Sequence, residues 1–344
     1  MSDMFSRKKR MAEKIFNAAR KVNNNPEQKL FAPYNFILNY SNNCNFSCPH
    51  CFAGAVTSGT AESNLSLDDL YNLGNQADEL GIYEIDIQGG EPLLFPNLFD
   101  ILDALGIDRF YTYITTNGWL LTQELADKLA NAGVDRISVS IDSFTAEKHD
   151  EFRQKKGSFK RAIKALEYTK RAGMKPFINI VIGHYNAQSD ELRFFCEQML
   201  DKNYGVAFNC ATPTGNWQGN YDIMLSSEDT ECIMELRYNN KEIIRDLWNY
   251  FNINNQLIRG CPSVNLFYIN PSGDVLPCPY IQTKIGNIKE QPLKEVLEYG
   301  FSFKELNTYS PICSAGENIE FARNFLNKET SVLNPMAAID FFSS

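Results

Sequence analysis

The chain has 344 residues and carries 33 Lys and Arg against 42 Asp and Glu, a net charge of −9. That acidic balance excludes a protein built chiefly to grip a phosphate backbone, and no apolar run reaches the roughly 18 residues that a membrane-spanning helix needs. No apolar signal segment opens the chain, so a cytoplasmic location is expected, with the nine cysteines reduced and available for metal.

Residues 1–30 begin with a basic helix to about residue 22. Met11, Ile15, Ala19 and Val22 share one face, and Arg7, Lys8, Lys9, Arg10, Lys14 and Lys21 fall largely elsewhere. Such a helix lies on a domain by its apolar face; the alternative is a docking element for a partner or an anionic membrane surface. Over 34–213 strands and helices alternate. Strands are predicted at 36–40, 84–88, 111–115, 136–141, 177–182 and 206–210, with helices near 66–80, 97–105, 122–132, 158–172 and 188–202. Six such strands make a parallel α/β sheet, better suited to an open partial barrel than to a closed eight-unit one. The unusual residues lie in loops after the strands, where parallel α/β folds place their active sites. A connector over 214–255 contains a helix near 227–251. Residues 256–320 form a small second domain with a hairpin (267–269, a turn at 270–274, then 275–278) and a helix near 292–299. The tail over 321–344 reads as helix and then frays.

Cys44-Asn45-Phe46-Ser47-Cys48-Pro49-His50-Cys51 is a CxxxCxxC loop after the first strand. Three thiolates on one short loop can each bind one iron of a [4Fe–4S] cube and leave the fourth iron open to a substrate or cofactor. Structural zinc wants four ligands, and His50 is cramped between Cys48 and Cys51. Gly89-Gly90-Glu91-Pro92 follows the second strand, some 40 residues later. Together these motifs resemble those of the radical S-adenosylmethionine (radical SAM) enzymes, over residues 34–213. The fold class implied is α/β, a partial (β/α)6 barrel. In that family the open iron chelates SAM, and reduction yields a 5′-deoxyadenosyl radical that abstracts hydrogen from a substrate. The resemblance implies that Cys44, Cys48 and Cys51 hold the cluster and that His50 stands where an aromatic residue usually lies near adenine. It implies that Gly89 and Gly90 bring backbone close to the methionine moiety and that Glu91 accepts from its amino group. Ser140, ending the fourth strand, is expected at the ribose or carboxylate. Arg153, in His149-Asp150-Glu151-Phe152-Arg153, is expected at the SAM carboxylate, a surface arginine being the plainer reading. Asn117 could line the same pocket, though turn chemistry explains Asn-Gly equally well. No side chain is singled out as a catalyst, since the cofactor carries the reaction.

Cys261, Gly273, Cys278 and Cys313, followed through the hairpin by Gly286-Asn287-Ile288 and Leu293-Lys294-Glu295-Val296, resemble the auxiliary-cluster domains called SPASM and twitch. A full SPASM domain has seven cysteines. Three remain here, which implies one auxiliary [4Fe–4S] cluster on Cys261, Cys278 and Cys313, with a fourth ligand unassigned; three buried thiols are the alternative. Cys196, Cys210 and Cys232 read as packing residues. The resemblance implies a radical SAM oxidoreductase or maturase that modifies a peptide, natural product or cofactor precursor. A flavodoxin- or ferredoxin-type electron donor and no nucleic-acid partner are expected. The alternatives are a dehydrogenase of a sugar or small alcohol and a non-catalytic iron–sulfur carrier or sensor.

Overall fold

A computed structural model describes residues 6–24, 34–54, 64–240, 242–245, 266–308 and 310–343. In chain order the first half runs α1 (Lys9–Asn24), β1 (Asn35–Asn39), α2 (Leu67–Glu79), β2 (Glu84–Gln88), α3 (Leu98–Leu105), β3 (Tyr111–Thr116), α4 (Gln123–Ala132) and β4 (Arg136–Ser140). The barrel continues through α5 (Ala146–Phe152), α6 (Ser158–Arg171), β5 (Lys175–Ile182), α7 (Asp190–Asp201), β6 (Gly205–Cys210), α8 (Ser227–Asn239) and β7 (Ile243–Arg245). The C-terminal part comprises β8 (Leu266–Ile269), β9 (Asp274–Leu276), β10 (Thr283–Lys284), β11 (Gly286–Asn287), α9 (Leu293–Phe301), α10 (Lys304–Asn307), α11 (Ile319–Phe325), β12 (Met336–Ala337) and α12 (Ala338–Phe342).

Strands β1 to β6 follow one another in parallel, as the alternating pattern requires. The sheet then extends at both ends. β7 pairs parallel with β6, Val206 opposite Ile243. β8 pairs parallel with β1, Asn35 opposite Leu266, and β9 and β11 continue antiparallel beyond it. The C-terminal hairpin is therefore an extension of the barrel sheet itself, seated beside the strand that launches the cysteine loop.

Side-chain alternation sorts the strands into two faces. Ile85 and Ile87 of β2, Ile137 and Val139 of β4, and Ile178 and Ile180 of β5 join Leu70, Leu102, Leu129, Leu166 and Phe195 from the helices in one apolar layer. The residues between them face inward, and these are polar or charged yet buried: Asn35, Glu84, Asp86, Arg136 and Ser138. They survive there by pairing. Arg136 donates to Ser138 Oγ at 2.8 Å and lies over the Tyr113 and Phe177 rings. Asp86 accepts from Thr115 Oγ1 at 2.9 Å and from Gln88. Burial pushes the Glu84 and Asp86 carboxyls up to about 7 each.

The basic helix lies at the opposite end from the cysteine loop. Met11 and Ile15 pack with Tyr34, Tyr83, Tyr111 and Tyr113. Two lysines, Lys8 just ahead of the helix and Lys14 within it, are buried, against the expectation that basic side chains fall elsewhere. Lys8 Nζ donates to the carbonyls of Ile107 (3.0 Å), Phe110 (2.6 Å) and Gly133 (2.8 Å) and to the Asp135 carboxylate (2.6 Å). Lys14 meets Asp78 at 2.9 Å over the Phe110 ring. Strand-start carbonyls and acids need cations, so the helix closes the barrel floor. Met11 and Ile15, part of the apolar face that membrane docking would use, are spent on this contact.

Two expectations are corrected. The helix foreseen to residue 251 ends at Asn239, and Ile243–Arg245 is the seventh parallel strand; the adjacent β-branched pair Ile243-Ile244 suits a sheet edge against β6. What was expected at 246–265, Cys261 included, lies outside the described residues. The tail does not fray. Met336–Ala337 pairs with Thr283–Lys284, and Phe341 and Phe342 of α12 pack on Phe325. Among the described residues no helix is long and apolar enough to cross a membrane.

Candidate radical SAM site

The loops after the strands converge on one cavity at the barrel's C-terminal end, with about 950 Å³ of space free of protein atoms, its open mouth included. Cys44, Cys48 and Cys51 line it together, with His50, Gly89, Gly90, Asn117, Ser140 and Arg153. Nine of the ten residues expected at the SAM cluster thus meet in one place. The tenth, Glu91, stands behind the wall.

The cysteine loop is held on both flanks. On the N-terminal side, Gly90 N–H donates to Ser41 O and Glu91 N–H to Asn43 O, both at 2.8 Å. The glycine pair permits this approach. A Cβ on Gly90 would collide with the Asn43 carbonyl, and Gly89 has φ +144 with a Cβ position 2.5 Å from Ser41 O. On the C-terminal side, a 3₁₀ turn at Gly215–Trp217 after β6 does the same. Asn216 N–H donates to Cys51 O at 3.0 Å, and its Nδ2 to Cys48 O at 2.9 Å.

Glu91 is fully buried. Its carboxylate accepts from Thr116 Oγ1 (2.6 Å), Asn117 N (2.8 Å) and Leu93 N (3.1 Å). Burial raises its carboxyl despite those bonds. Glu91 therefore ties β3's end to the glycine turn, and Asn117 passes the tie on through Nδ2 to Asn45 Oδ1 at 2.8 Å.

Arg153 caps α5, a short helix absent from the expected elements, and it is buried, which removes the surface reading. Its Nε pairs with Asp142 Oδ2 at 2.7 Å, and its Nη1 lies 3.9 Å from Cys48 Sγ. Burial alone would raise the Asp142 carboxyl; the guanidinium outweighs it and holds the group below the usual carboxylate range. His149 Nδ1 accepts from the Asp142 amide at 3.2 Å, and burial brings that imidazole down to about 4. His50 stacks on Phe152, centroids 4.2 Å apart, with Trp217 at 5.7 Å and Tyr185 beyond. Its imidazole is lowered to about 3, by burial first and then by Arg153.

The donor set fits an iron–sulfur cluster. Burial pushes the Cys44 thiol up to about 12 and raises that of Cys48 as well. Thiols raised in this way become thiolates when a cationic centre sits beside them. Among the described residues no three His, Cys, Asp or Glu side chains gather closely enough for a single metal ion, as the zinc alternative would need.

Of the auxiliary cysteines, Cys261 lies outside the described residues. Cys278 is half-buried and accepts the Tyr280 N–H at 3.4 Å; Cys313 is buried, and its amide donates to Glu317 Oε2 at 2.6 Å. Cys196 is buried in α7 and Cys232 half-buried in α8. Cys210, expected only to pack, also lines the cavity. Lining residues missed in the sequence include Trp217, Tyr280, Asn179, Asn209 and Thr212. Their signal was positional: Asn179 and Asn209 sit at the C-terminal halves of β5 and β6, and Gly215-Asn216-Trp217 follows β6.

Comparison with known proteins agrees with this geometry. Residues 38–196 match the radical SAM superfamily and residues 261–315 an iron–sulfur cluster-binding domain, SPASM. The chain is 31% identical over 290 residues to the AdoMet-dependent heme synthase of Methanosarcina barkeri, covering 76% of this chain and 81% of that protein. This chain belongs to the radical SAM superfamily. It is a radical SAM enzyme with a C-terminal SPASM domain. The PqqA peptide cyclase of Rhizobium meliloti is 24% identical over 285 residues, 78% of this chain and 74% of that protein. Among solved structures, Streptococcus suis SuiB bound to precursor peptide SuiA superposes with TM-score 0.60 at 21% identity, over 82% of this chain and 67% of that one. Native anSMEcpe with bound AdoMet and Cp18Cys peptide gives 0.63 at 20% identity, over 90% and 95%. At those identities the two structures support the shared fold.

Proposed function

We propose that this radical SAM enzyme binds its cluster through Cys44, Cys48 and Cys51 and modifies a peptide by hydrogen abstraction. The observation that carries the cluster site is the three-thiol wall of a single cavity, clamped by Gly90 and Glu91 on one flank and Asn216 on the other. When bound, the cluster supplies the electron that splits SAM into methionine and a 5′-deoxyadenosyl radical. The chain's own residues bind, orient and shield. Arg153, fixed by Asp142, offers its guanidinium to the SAM carboxylate. The Gly89–Gly90 backbone and Asn117 line the methionine side, and Ser140 with Asn179 meets the ribose from adjacent strands. His50, on Phe152, presents a flat neutral ring to adenine. Glu91 is a positioning residue for this wall. Cys261, Cys278 and Cys313 hold one auxiliary cluster, and a flavodoxin- or ferredoxin-type protein supplies electrons.

The peptide reading is supported by similarity to a PqqA peptide cyclase along most of the chain. A tetrapyrrole is the second reading, favoured by the greater identity to a heme synthase. The test is anaerobic reconstitution followed by iron counting and 5′-deoxyadenosine assay. Two cubes of about four irons each are expected, with SAM cleavage lost in a Cys44/Cys48/Cys51→Ala variant and stimulated by the substrate class that binds. Cleavage at wild-type rate in that variant overturns the ligand reading. Stimulation by a tetrapyrrole and by no peptide replaces the first substrate reading with the second.

A further inference from the structure

Among the described residues, Phe52 is a principal contact between the C-terminal domain and the cysteine loop. Phe52 follows Cys51, and its carbonyl accepts from Gln282 Nε2 at 3.0 Å. Its ring meets Tyr280 edge-on with centroids 5.5 Å apart, and Tyr268 at 6.2 Å. Tyr280 in turn donates its backbone N–H to Cys278 Sγ. A continuous path of contacts thus runs from Cys51 to Cys278. Gln282 is only 3% exposed and Tyr268 is fully buried, so these contacts are packed in place. Tyr268 OH also accepts from Asn39 Nδ2 at 2.6 Å, whose other proton partner is Asn42 Oδ1 at 2.9 Å; Asn42 Nδ2 donates to Ala53 O at 2.9 Å. The hairpin therefore braces the end of the cysteine loop at Phe52 and Ala53 together.

We propose that Tyr280 and Gln282 are positioning residues for the radical SAM cluster, transmitting the ligation state of Cys278 to the loop that carries Cys51. The inference rests on the ligand reading given above. Iron on Cys278 fixes the direction of its sulfur, hence the Tyr280 amide that points at it, hence the ring edge and the Gln282 amide that hold Phe52. Without iron there, the turn between β9 and β10 loses that anchor, and the loop keeps its clamps from Gly90, Glu91 and Asn216 but slackens beyond Cys51, at Phe52 and Ala53. Coupling of this kind is reciprocal: SAM bound at the first site tightens iron binding at the second by the same factor.

The test compares Gln282→Met, which keeps the shape and removes the donor, with Tyr280→Leu, Tyr280→Phe, Cys278→Ala and the surface control Lys289→Ala. SAM affinity and the SAM-induced change in the electron paramagnetic resonance spectrum of the reduced radical cluster are measured in reconstituted protein. Deuterium uptake over residues 45–54 is measured in reconstituted protein, with the iron-free form as reference. Gln282→Met and Tyr280→Leu should weaken SAM binding about fivefold, the size of one net hydrogen bond, alter the SAM-bound spectrum and speed exchange over 45–54. Tyr280→Phe keeps the ring edge and should show wild-type exchange over 45–54, while the surface control Lys289→Ala should behave as wild type throughout. Cys278→Ala should weaken SAM comparably, with no further loss when combined with Gln282→Met. Unchanged affinity, spectrum and exchange in both Gln282→Met and Tyr280→Leu overturns the proposal. A wild-type protein with no radical cluster signal overturns the ligand reading instead.

Discussion

Gly90→Ala is the sharpest probe of how the site is built. The new Cβ would lie 2.6 Å from Asn42 O and nearer still to the Asn43 carbonyl. Both are backbone, so no side chain can swing aside. Comfortable heavy-atom separations are about 3.5–4.0 Å, so the cysteine loop must retreat by about 1 Å. That retreat breaks the bonds from Gly90 N–H to Ser41 O and from Glu91 N–H to Asn43 O, each worth about 0.5–1.5 kcal/mol net. Overpacking adds about 1–3 kcal/mol, for a total near 2–6 kcal/mol. Gly173→Ala is the matched control, with φ +82 and nothing within 4 Å of its Cβ position, so only the left-handed backbone cost of about 1–2 kcal/mol applies. Urea unfolding of the iron-free proteins, iron per chain and SAM affinity form the assay. Gly90→Ala should lose stability in the stated range, take up about half the wild-type iron and bind SAM at least tenfold more weakly. A Gly90→Ala protein within 1 kcal/mol of wild type with full SAM affinity would refute the reasoning.

Arg153→Gln leaves the buried Asp142 carboxylate without its ion pair, and breaking such a pair costs about 3–5 kcal/mol. SAM affinity should fall with stability, and a variant that loses stability but binds SAM normally removes Arg153 from the carboxylate contact. His149 is held near 4 in the folded protein against about 6.5 when free. The unfolded chain therefore binds the extra proton between those values, and stability falls as pH drops from 6.5 to 4, by about 3 kcal/mol. Asp142, held below the usual range, adds its own loss only below about pH 4. Urea midpoints at pH 7 and 4.5 should differ less for His149→Gln than for wild type; equal losses refute the assignment. Lys8→Met strands the buried Asp135 carboxylate and should cost about 3–5 kcal/mol. Adding Asp135→Asn should recover part of that, a coupling read from a double-mutant cycle.

Much of this was written in the sequence because it rested on periodicity and on residues with one plausible chemistry. Two helix starts carry capping boxes in the structure, Ser66 with Asp69 on α2 and Ser226 with Asp229 on α8. CxxxCxxC and the glycine pair announced themselves by spacing. What stayed hidden depended on distance in space. The three internal donors that hold Glu91 in place could not be read from the sequence. Lys8 and Lys14 read as solvated because helical periodicity cannot see the carbonyls and acids waiting at the barrel floor. The charged positions of β2 alternate like those of a half-exposed strand, yet both faces are buried. Nothing local to Phe267-Tyr268-Ile269 foretold that its partner would be the first strand.

A ribosome finishes β1 about 230 residues before it completes β8. At roughly 5–20 residues per second, the nascent chain carries one bare edge of its first strand for on the order of 10–50 s. Phe36, whose ring ends up stacked on Phe267 at 5.7 Å, waits beside that edge for the same interval. An uncovered strand edge is a template for other chains. A polypeptide cut short of residue 266 never covers it, so the severed barrel should self-associate on emergence where the full-length chain closes that edge with its own β8.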